Sequence, residues 1–422
     1  MRSGNPRKAG GAMPDCAVTG GPVPNHLRSA LERGEFVCTA ELVLGRDHNA
    51  AEAEQFVRDA SETLDGIRVI SLTDLPGGNP ALPPEAFASH VLNHKLSPIA
   101  HLSGKDGNRS FLEARLHALA RLGVENVLAL TGDAQKADAV GAPKPVHDLD
   151  SALILWLIRS MKSGLGYKIG DKVKQTTPFD FFAGAVVNPY KVREPDLMMQ
   201  LYKLRLKVAA GAQFIVTQLG YDLRKLYELK QYIDREGLEN IPVLANIYVP
   251  TARIARMMQS GEIAGCVISD ELVKGLEREN KAQRLERAAL MLAAVKDLSF
   301  AGAHVGGFNL AFRDMMTILE RASAIGGSWR GRIEELIYPY PQQFHLLPPA
   351  PNGLSDGVAD YQTESLKPKP SLMQRLSRFF HDHFIHEDSS VGHFLAKRSK
   401  AQVVDDTLFP YTTLFRSRKS VV

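Results

Sequence analysis

The chain has 422 residues, of which 44% are hydrophobic and 23% are charged, and its formal net charge at pH 7 is +4. This composition is typical of a globular protein with a sizeable core, and the small net charge gives no reason to expect a nucleic acid as partner. No run of about 18 apolar residues is present, so we expect no membrane-spanning helix. The 3 cysteines are too few and too scattered for a disulfide framework or a zinc site, which favours a cytoplasmic environment and no bound metal.

The start of the chain differs in character from the rest. Residues 1–25 are rich in Gly and Pro and carry no apolar segment of the kind found in secretory signals, so we expect a flexible arm. A short helix is predicted from Leu27 to Arg33, with a break at Gly34. Eight short apolar runs come next, and we predict that they are β-strands: Phe36–Leu44, Ile67–Thr73, Pro98–Leu102, Asn126–Thr131, Phe181–Val187, Phe214–Gln218, Pro242–Tyr248 and Phe300–Val305.

Helical patterns lie between the strand candidates. They include Asn49–Leu64, Ser110–Leu122, Leu149–Met161, Pro195–Ala210 and Asp222–Glu236. Strands that alternate with helices of this length are typical of parallel βαβ units. Because there are eight strand candidates and no GxGxxG motif after the first, the sequence favours an α/β fold of the (β/α)8 (TIM) barrel type over an open doubly wound sheet. We place this barrel at residues 26–335.

Three segments depart from the alternation. Residues 162–180 form an insertion rich in Lys and Gly, which we expect to be a loop over the C-terminal face of the barrel. Residues 336–404 are predicted to be a Pro- and Gly-rich linker followed by a basic helical extension, so this part is partly irregular. Residues 405–422 repeat the triplet Thr-Leu-Phe and resemble the translated adapter sequence that ends some assembled gene models. We expect this tail not to be native and the true C-terminus to be truncated.

Polar side chains stand at the ends of three distant strand candidates. Glu41 ends the first strand, Asp133 follows the fourth, and Gln218 ends the sixth. In a parallel barrel these ends meet at the catalytic face, so two carboxylates and a carboxamide are expected to converge. A carboxylate on an apolar strand should have a raised pKa, which makes Glu41 a candidate general acid near neutral pH.

Each candidate also has a purely structural explanation. Glu41 is equally well explained as a salt-bridged residue, and Asp133 is better explained, on local sequence alone, as the N-cap of the next helix. Gln218, with Tyr221 after it, either holds an amide-rich ring or is a hydrogen-bonded core residue. His101 is more often a satisfied core histidine than a ligand, and the C-terminal histidines lack the cysteine partners of a metal site.

The order and spacing of these residues resemble the methylenetetrahydrofolate reductase family over residues 34–310. In that family the first strand ends in a Glu that serves as general acid, and Glu41 occupies this place. The fourth strand of the family ends in a Gly-Asp pair beside the flavin and the pterin, which Gly132 and Asp133 match.

The later strands carry the same resemblance. The sixth strand of the family comes after an Ala-Gly-Ala turn and ends in Ile-Thr-Gln, and this chain has Val216-Thr217-Gln218 after the turn at 210–212. The final strand of the family is followed by a His and a later Asn, which match His304 and Asn309.

The resemblance implies a flavoprotein of one-carbon metabolism and methionine biosynthesis. It would reduce 5,10-methylenetetrahydrofolate to 5-methyltetrahydrofolate, or run the reverse oxidation, with FAD as cofactor and FMN left open. The electron source would be NAD(P)H or an iron–sulfur protein, and a homo-oligomer is left open. The implied catalytic residues are Glu41 and Asp133, and the implied substrate-binding residues are Gln218, Tyr221 and Asn309. The implied cofactor-binding residues are Thr73, His101, Thr131, Gly132, Asp133, Asp150 and Lys207.

Several positions depart from the family pattern. Leu206 stands where bacterial members have an Arg beside the lysine that Lys207 matches, and Thr131 stands where an Arg often precedes Gly-Asp. The Pro usual at the start of a late helix is absent from Gly265–Ile268. Two other functions therefore stay open. One is a flavin-free pterin-binding or methyl-transferring barrel, and the other is a subunit that receives electrons from an iron–sulfur partner through its C-terminal extension.

Overall fold

The structure is a computed structural model that describes residues 23–46, 50–63, 65–133, 143–263, 265–307 and 310–356, together with 373, 375, 376 and 379. Residues 1–22 of the expected arm, Asn309, most of the C-terminal extension and all of 405–422 lie outside these described residues. The chain divides into two compact units, Met1–Ser355 and Asp356–Val422, of which the first contains all the strands described below.

The secondary structure alternates between strands and helices along most of the first unit. The described strands are β1 (Val37–Leu42), β2 (Val69–Leu72), β3 (Ser97–Ser103), β4 (Asn126–Leu130), β5 (Gly166–Ile169), β6 (Lys172–Gln175), β7 (Phe182–Val187), β8 (Phe214–Thr217), β9 (Val243–Val249) and β10 (Gly302–Gly307). The described α-helices are α1 (His26–Glu32), α2 (Ala50–Glu62), α3 (Pro84–Asn93), α4 (Arg109–Leu122), α5 (Ser151–Met161), α6 (Glu194–Ala210), α7 (Leu223–Arg235), α8 (Ala252–Gln259), α9 (Asp270–Leu276), α10 (Lys281–Asp297) and α11 (Phe312–Ile325). The described 3-10 helices are Pro76–Gly78 and Gly326–Leu336.

Eight parallel strands close into a barrel in the order β1-β2-β3-β4-β7-β8-β9-β10. The last strand pairs with the first, with Val37 opposite Gly302 and Thr39 opposite His304. Each barrel strand coincides with one of the eight apolar runs in the sequence, so the predicted (β/α)8 barrel is confirmed.

The barrel interior is filled by alternate residues of the strands. Because successive side chains of a strand point to opposite faces, one residue in two points inward and the others face the helices. The inward cluster is formed by Val37, Val69, Ile99, Leu128, Phe182, Phe214, Val216 and Leu244. Leu27 of α1 belongs to the same cluster and is fully buried, so α1 closes the N-terminal end of the barrel. A ligand can therefore approach the barrel interior only from the opposite, C-terminal end of the strands.

The insertion at 162–180 does not lie over the C-terminal face, and that expectation is wrong. The segment contains the antiparallel hairpin β5–β6, whose residues are all exposed. It connects the end of α5 to the start of β7, and such helix-to-strand connections lie at the N-terminal end of a barrel. Asp180 pairs there with Arg28 of α1.

The segment after the 3-10 helix at 326–336 is part of the first unit. Its composition indicates a linker, yet Phe344 N donates to Val192 O at 2.8 Å and Arg224 donates to Leu347 O at 2.8 Å. The compact unit therefore extends to Ser355 and not to residue 335, because backbone groups of this segment find partners on the barrel. No helix within the described ranges is both long and apolar enough to cross a membrane.

Substitution Leu27→Ala tests the closure of the barrel by α1. We expect the free energy of unfolding to fall by about 2–5 kcal/mol, because a fully buried leucine leaves a cavity. Urea unfolding followed by circular dichroism would measure the loss. The control is Met199→Ala on α6, where the side chain is 52% exposed and the expected change is within about 0.5 kcal/mol. Equal losses in the two variants would contradict a closing role for α1.

Candidate active site

A hydrogen-bonded array of side chains lies at the C-terminal mouth, where β1 meets β10. His304 Nδ1 lies 2.7 Å from Thr39 Oγ1, and His304 Nε2 lies 3.3 Å from Glu41 Oε2. If Nε2 carries the proton, the imidazole donates to the Glu41 carboxylate and accepts from the Thr39 hydroxyl. The three groups therefore form a chain of hydrogen bonds in which the imidazole N–H of His304 points at the Glu41 carboxylate.

A second buried pair stands beside this array. Ser71 Oγ lies 2.7 Å from His101 Nε2, and the rings of His101 and His304 have centroids 6.4 Å apart. Burial lowers the pKa of His101 to about 4, although the nearby Glu41 charge acts in the opposite direction. His101 is therefore neutral near pH 7.

The electrostatics of Glu41 differ from the sequence-based expectation of a raised pKa. Burial does raise the pKa of its carboxyl, but the hydrogen bond from His304, the charge of His304 and, last, the charge that His101 carries when protonated lower it more. The net pKa is below the ordinary value, so that expectation is wrong: Glu41 is not isolated on an apolar strand. A proton available here belongs to the Glu41–His304 pair and not to the carboxyl alone.

Asp133 stands at the same mouth, after β4. Gly132 before it has φ +95°, a backbone conformation that favours glycine, and Asp133 itself remains exposed. The surrounding protein raises the pKa of the Asp133 carboxyl, and the buried Lys105 nearby opposes this effect. The next described helix, α5, is capped by Asp150, whose Oδ1 accepts from Ala152 N and Leu153 N at 3.0 Å each.

Gln218 comes directly after β8 and is half-buried at the mouth. Its Oε1 accepts from Leu219 N at 3.0 Å. Its Nε2 lies beside Gly265, so close that a Cβ atom added to this glycine would come within 3.4 Å of Nε2. Burial raises the pKa of the neighbouring Cys266 thiol to about 12, and the charges of Asp133 and Glu41 add to the effect. The loop with Cys266 therefore shares one space with Gln218 and both carboxylates.

A second group of expected residues surrounds the start of α5. Asp150 and Lys207 lie close enough to interact electrostatically, and Lys207 Nζ donates to Val186 O at 2.6 Å. Burial lowers the pKa of Lys207 to about 8, and the charge of Lys203 adds to this. The excess of positive charge fits an anionic group such as a phosphate.

The remaining expected cofactor contacts make hydrogen bonds within the protein. Thr73 Oγ1 accepts from Leu44 N at 3.0 Å, and Thr131 Oγ1 accepts from Ser151 N at 3.3 Å. These bonds fix the two hydroxyl groups at the ends of β2 and β4. Thr73 is buried, whereas Thr131 remains exposed at the mouth.

Of the expected substrate contacts, Tyr221 is not brought into this array. Tyr221 is buried against α8 and α9 and its hydroxyl contacts Met258 Sδ at 3.5 Å. Its ring also lines a cleft that contains Tyr248 and Arg287, outside the Glu41–His304 array. Asn309 lies outside the described residues.

The structure also reveals participants that sequence reasoning missed. Thr39 and Ser71 contact the two histidines. The sequence carried a signal for both, because each is a polar residue at an inward position of a strand, and Thr39 lies two residues before Glu41. Asn188 and Cys266 carried no comparable signal, because their proximity to Gln218 depends on how two loops fold. No group of three or more His, Cys, Asp or Glu side chains suited to a metal ion occurs in the described part of the chain.

Comparison with known proteins relates this geometry to a family. A family model described as methylenetetrahydrofolate reductase matches residues 26–321. Methylenetetrahydrofolate reductase 2 of Schizosaccharomyces pombe (strain 972 / ATCC 24843) is 24% identical over 187 residues, which cover 44% of this chain and 28% of that protein. The chain therefore aligns with less than a third of that relative's length.

Solved structures show weaker likeness. An uncharacterized protein from Clostridium thermocellum, which binds two copies of 5-methyl-5,6,7,8-tetrahydrofolic acid, aligns with a TM-score of 0.48 at 12% identity over 71% of this chain and 98% of that chain. Dihydropteroate synthase from Thermus thermophilus aligns with a TM-score of 0.37 at 14% identity over 70% of this chain and 94% of that chain. Similarity at this level identifies neither a ligand nor a reaction.

Substitution His304→Leu tests what sets the pKa of Glu41. We expect that pKa to rise above its ordinary value, because burial is then opposed only by His101, which is neutral above its own pKa of about 4. Infrared spectroscopy with 13C-labelled glutamate would follow the carboxylate band during a pH titration. The control is His117→Leu, which removes the exposed partner of Glu113 on α4 and should leave Glu41 unchanged. A Glu41 pKa that stays low without His304 would show that another group sets it.

Proposed function

The chain belongs to the methylenetetrahydrofolate reductase family, and we propose that it is a flavin-dependent enzyme that interconverts 5,10-methylenetetrahydrofolate and 5-methyltetrahydrofolate. The observation that supports this proposal most is the array of Thr39, His304 and Glu41 at the catalytic end of the barrel. A site that only binds a pterin has no need of a half-buried carboxylate paired with a histidine.

Glu41 and His304 have the acid role in this proposal. Reduction of the methylene group requires that the bridging ring of the folate opens, and a proton on the departing ring nitrogen makes this possible. In its acid form the pair holds one proton more than a neutral imidazole and an ionised carboxylate, shared between Oε2 and Nε2, which lie 3.3 Å apart. Transfer of this proton to the folate nitrogen leaves His304 neutral and Glu41 ionised. In the reverse oxidation the same pair takes the proton back.

Gln218 and Asp133 have the binding and orienting roles. A carboxamide provides one acceptor and two donors, which match the amide and amino groups of a pterin ring. Gln218 Oε1 accepts from Leu219 N and its Nε2 lies beside Gly265, so the amide is held at the edge of the mouth. Asp133, which remains exposed there, places a carboxylate beside the reacting groups.

The flavin site in this proposal is the region where β4, α5 and α6 meet. Asp150 and Lys207 would face the phosphate groups, where the positive charge of Lys207 offsets theirs, and Thr131 and Gly132 would approach the ring. A bound flavin, once reduced, supplies the hydride that the chain's own side chains cannot provide. FAD is the preferred cofactor, and FMN is the alternative. NAD(P)H or an iron–sulfur protein would supply the electrons.

The visible absorbance spectrum of the purified protein under anaerobic conditions tests this function. We expect a flavin band that bleaches when 5-methyltetrahydrofolate is added, because the reverse oxidation transfers electrons to the flavin. A flavin band that persists would contradict the folate assignment. A protein that stays colourless after FAD and FMN are supplied would contradict the flavin assignment and favour a flavin-free pterin-binding barrel.

Substitution Glu41→Gln tests the acid role. We expect the rate of folate turnover to fall about 10²–10⁴-fold, the usual contribution of a general acid, while the flavin spectrum is unchanged. The matched control is Glu35→Gln, at an exposed carboxylate that pairs with Arg33 just before β1. Full folate turnover by the Glu41→Gln protein, measured with flavin bound, would rule out Glu41 as the acid.

A further inference from the structure

The segment 337–355, which we call the strap, lies outside the residues that match the family and crosses the outside of the barrel. It contacts the loop after β7 at two points: Gln343 Nε2 donates to Tyr190 O at 3.1 Å, and Phe344 N donates to Val192 O at 2.8 Å. The strap is therefore hydrogen-bonded to the loop after β7, whose first residue is Asn188.

Glu228 on α7 anchors the strap. This carboxylate is 2% exposed and accepts from His345 Nδ1 at 3.1 Å, Leu346 N at 3.0 Å and Ser355 Oγ at 2.8 Å. Lys225, also buried, donates to Phe344 O at 2.8 Å. Burial alone would raise the pKa of Glu228, but the hydrogen bond from His345 and the charge of Lys225 bring it down to about 2. A charge that is buried and so fully paired holds its partners firmly.

The loop after β7 reaches the mouth through Asn188. This side chain is 6% exposed; its Oδ1 accepts from Tyr190 N at 3.0 Å, and its Nδ2 donates to Gly265 O at 2.8 Å. Gly265 has φ +76° and lies against Gln218. One carboxamide thus joins the loop held by the strap to the loop that lies beside the proposed pterin-binding glutamine.

We propose that Asn188 is a positioning residue that holds the Gly265–Cys266 loop against Gln218, and that the strap fixes Asn188 for this purpose. The proposal rests on the proposed function, because it assigns the Gly265–Cys266 loop to the folate side of the site. A segment of sequence outside the barrel thereby completes the substrate site through a series of hydrogen bonds from Glu228 to the strap, Tyr190, Asn188 and Gly265.

The geometry separates this role from a merely structural one. The bond from Asn188 Oδ1 to Tyr190 N stays within one loop, and only the bond from Nδ2 to Gly265 O crosses to the mouth. Asn188→Asp keeps an acceptor for Tyr190 N but removes the donor to Gly265 O, whereas Asn188→Ala removes both bonds. Both variants should release the Gly265–Cys266 loop, and Asn188→Asp should leave its own loop in place.

The first experiment needs no cofactor or substrate. Cys266 reports on the loop, because its thiol is half-buried beside Gly265, and peptide mass spectrometry can follow its labelling by iodoacetamide separately from that of Cys38 in β1. We expect both Asn188 variants to speed labelling at Cys266 about tenfold, which corresponds to about 1.4 kcal/mol of lost loop closure. Labelling at Cys38 should not change, and a rise there would indicate a disturbed barrel. Unchanged labelling at Cys266 in both variants would overturn the proposal.

The second experiment moves the change to the strap. Glu228→Gln should also speed labelling at Cys266, since an amide cannot replace the carboxylate as acceptor for three donors. The matched control is Asp234→Asn on the same helix, where the partner Lys230 is at the surface and no change is expected. If Glu228→Gln leaves Cys266 as slow as in the unaltered protein, the strap has no part in holding the Gly265–Cys266 loop.

Steady-state kinetics with the flavin-loaded enzyme connect the loop to substrate. We expect Asn188→Asp to raise KM for the folate about tenfold while kcat stays within about twofold, because the bond holds a binding residue and not the acid. If the unaltered protein neither binds nor turns over folate, the proposed function fails, while the labelling result still judges the loop. If folate is turned over and KM does not change in Asn188→Asp, the positioning role fails alone.

Discussion

The pairing of the last strand with the first is the constraint on which the rest of the structure depends. His304 and Glu41 are 263 positions apart, and they meet only because β10 closes the barrel against β1. Closure sets the register that puts Thr39 opposite His304, so the array at the mouth results from the same hydrogen bonds that remove the sheet edges. Folding and the assembly of the proposed acid are thus one event.

The site combines two electrostatic environments on one face of the barrel. Around Glu41, a carboxylate is kept ionised by a histidine, and the neighbouring His101 is kept neutral by burial. Around Lys207, positive charge exceeds negative charge, which suits an anionic cofactor tail. In the proposed function the phosphate groups of the flavin would lie in the second environment.

Much of the barrel could be predicted from the sequence, because parallel strands covered on both faces read as continuous apolar runs. The convergence of Glu41 and Gln218 could also be predicted, since the C-terminal ends of all barrel strands meet. The lowered pKa of Glu41 could not be predicted, because it depends on His304, which is 263 positions away in the sequence. The packing of the strap on the barrel could not be predicted either, because a Pro- and Gly-rich composition is the same whether or not the segment binds to Glu228.

The hairpin β5–β6 and the proposed site lie at opposite ends of the barrel. It extends from the end that Leu27 closes, with every strand residue exposed, and it is separated from the mouth by the packed interior. Lengthening such a connection costs only a slowly growing loop-closure entropy. We therefore expect that sequence changes in this hairpin, or a module fused to it, leave the site at the opposite end of the barrel unaltered.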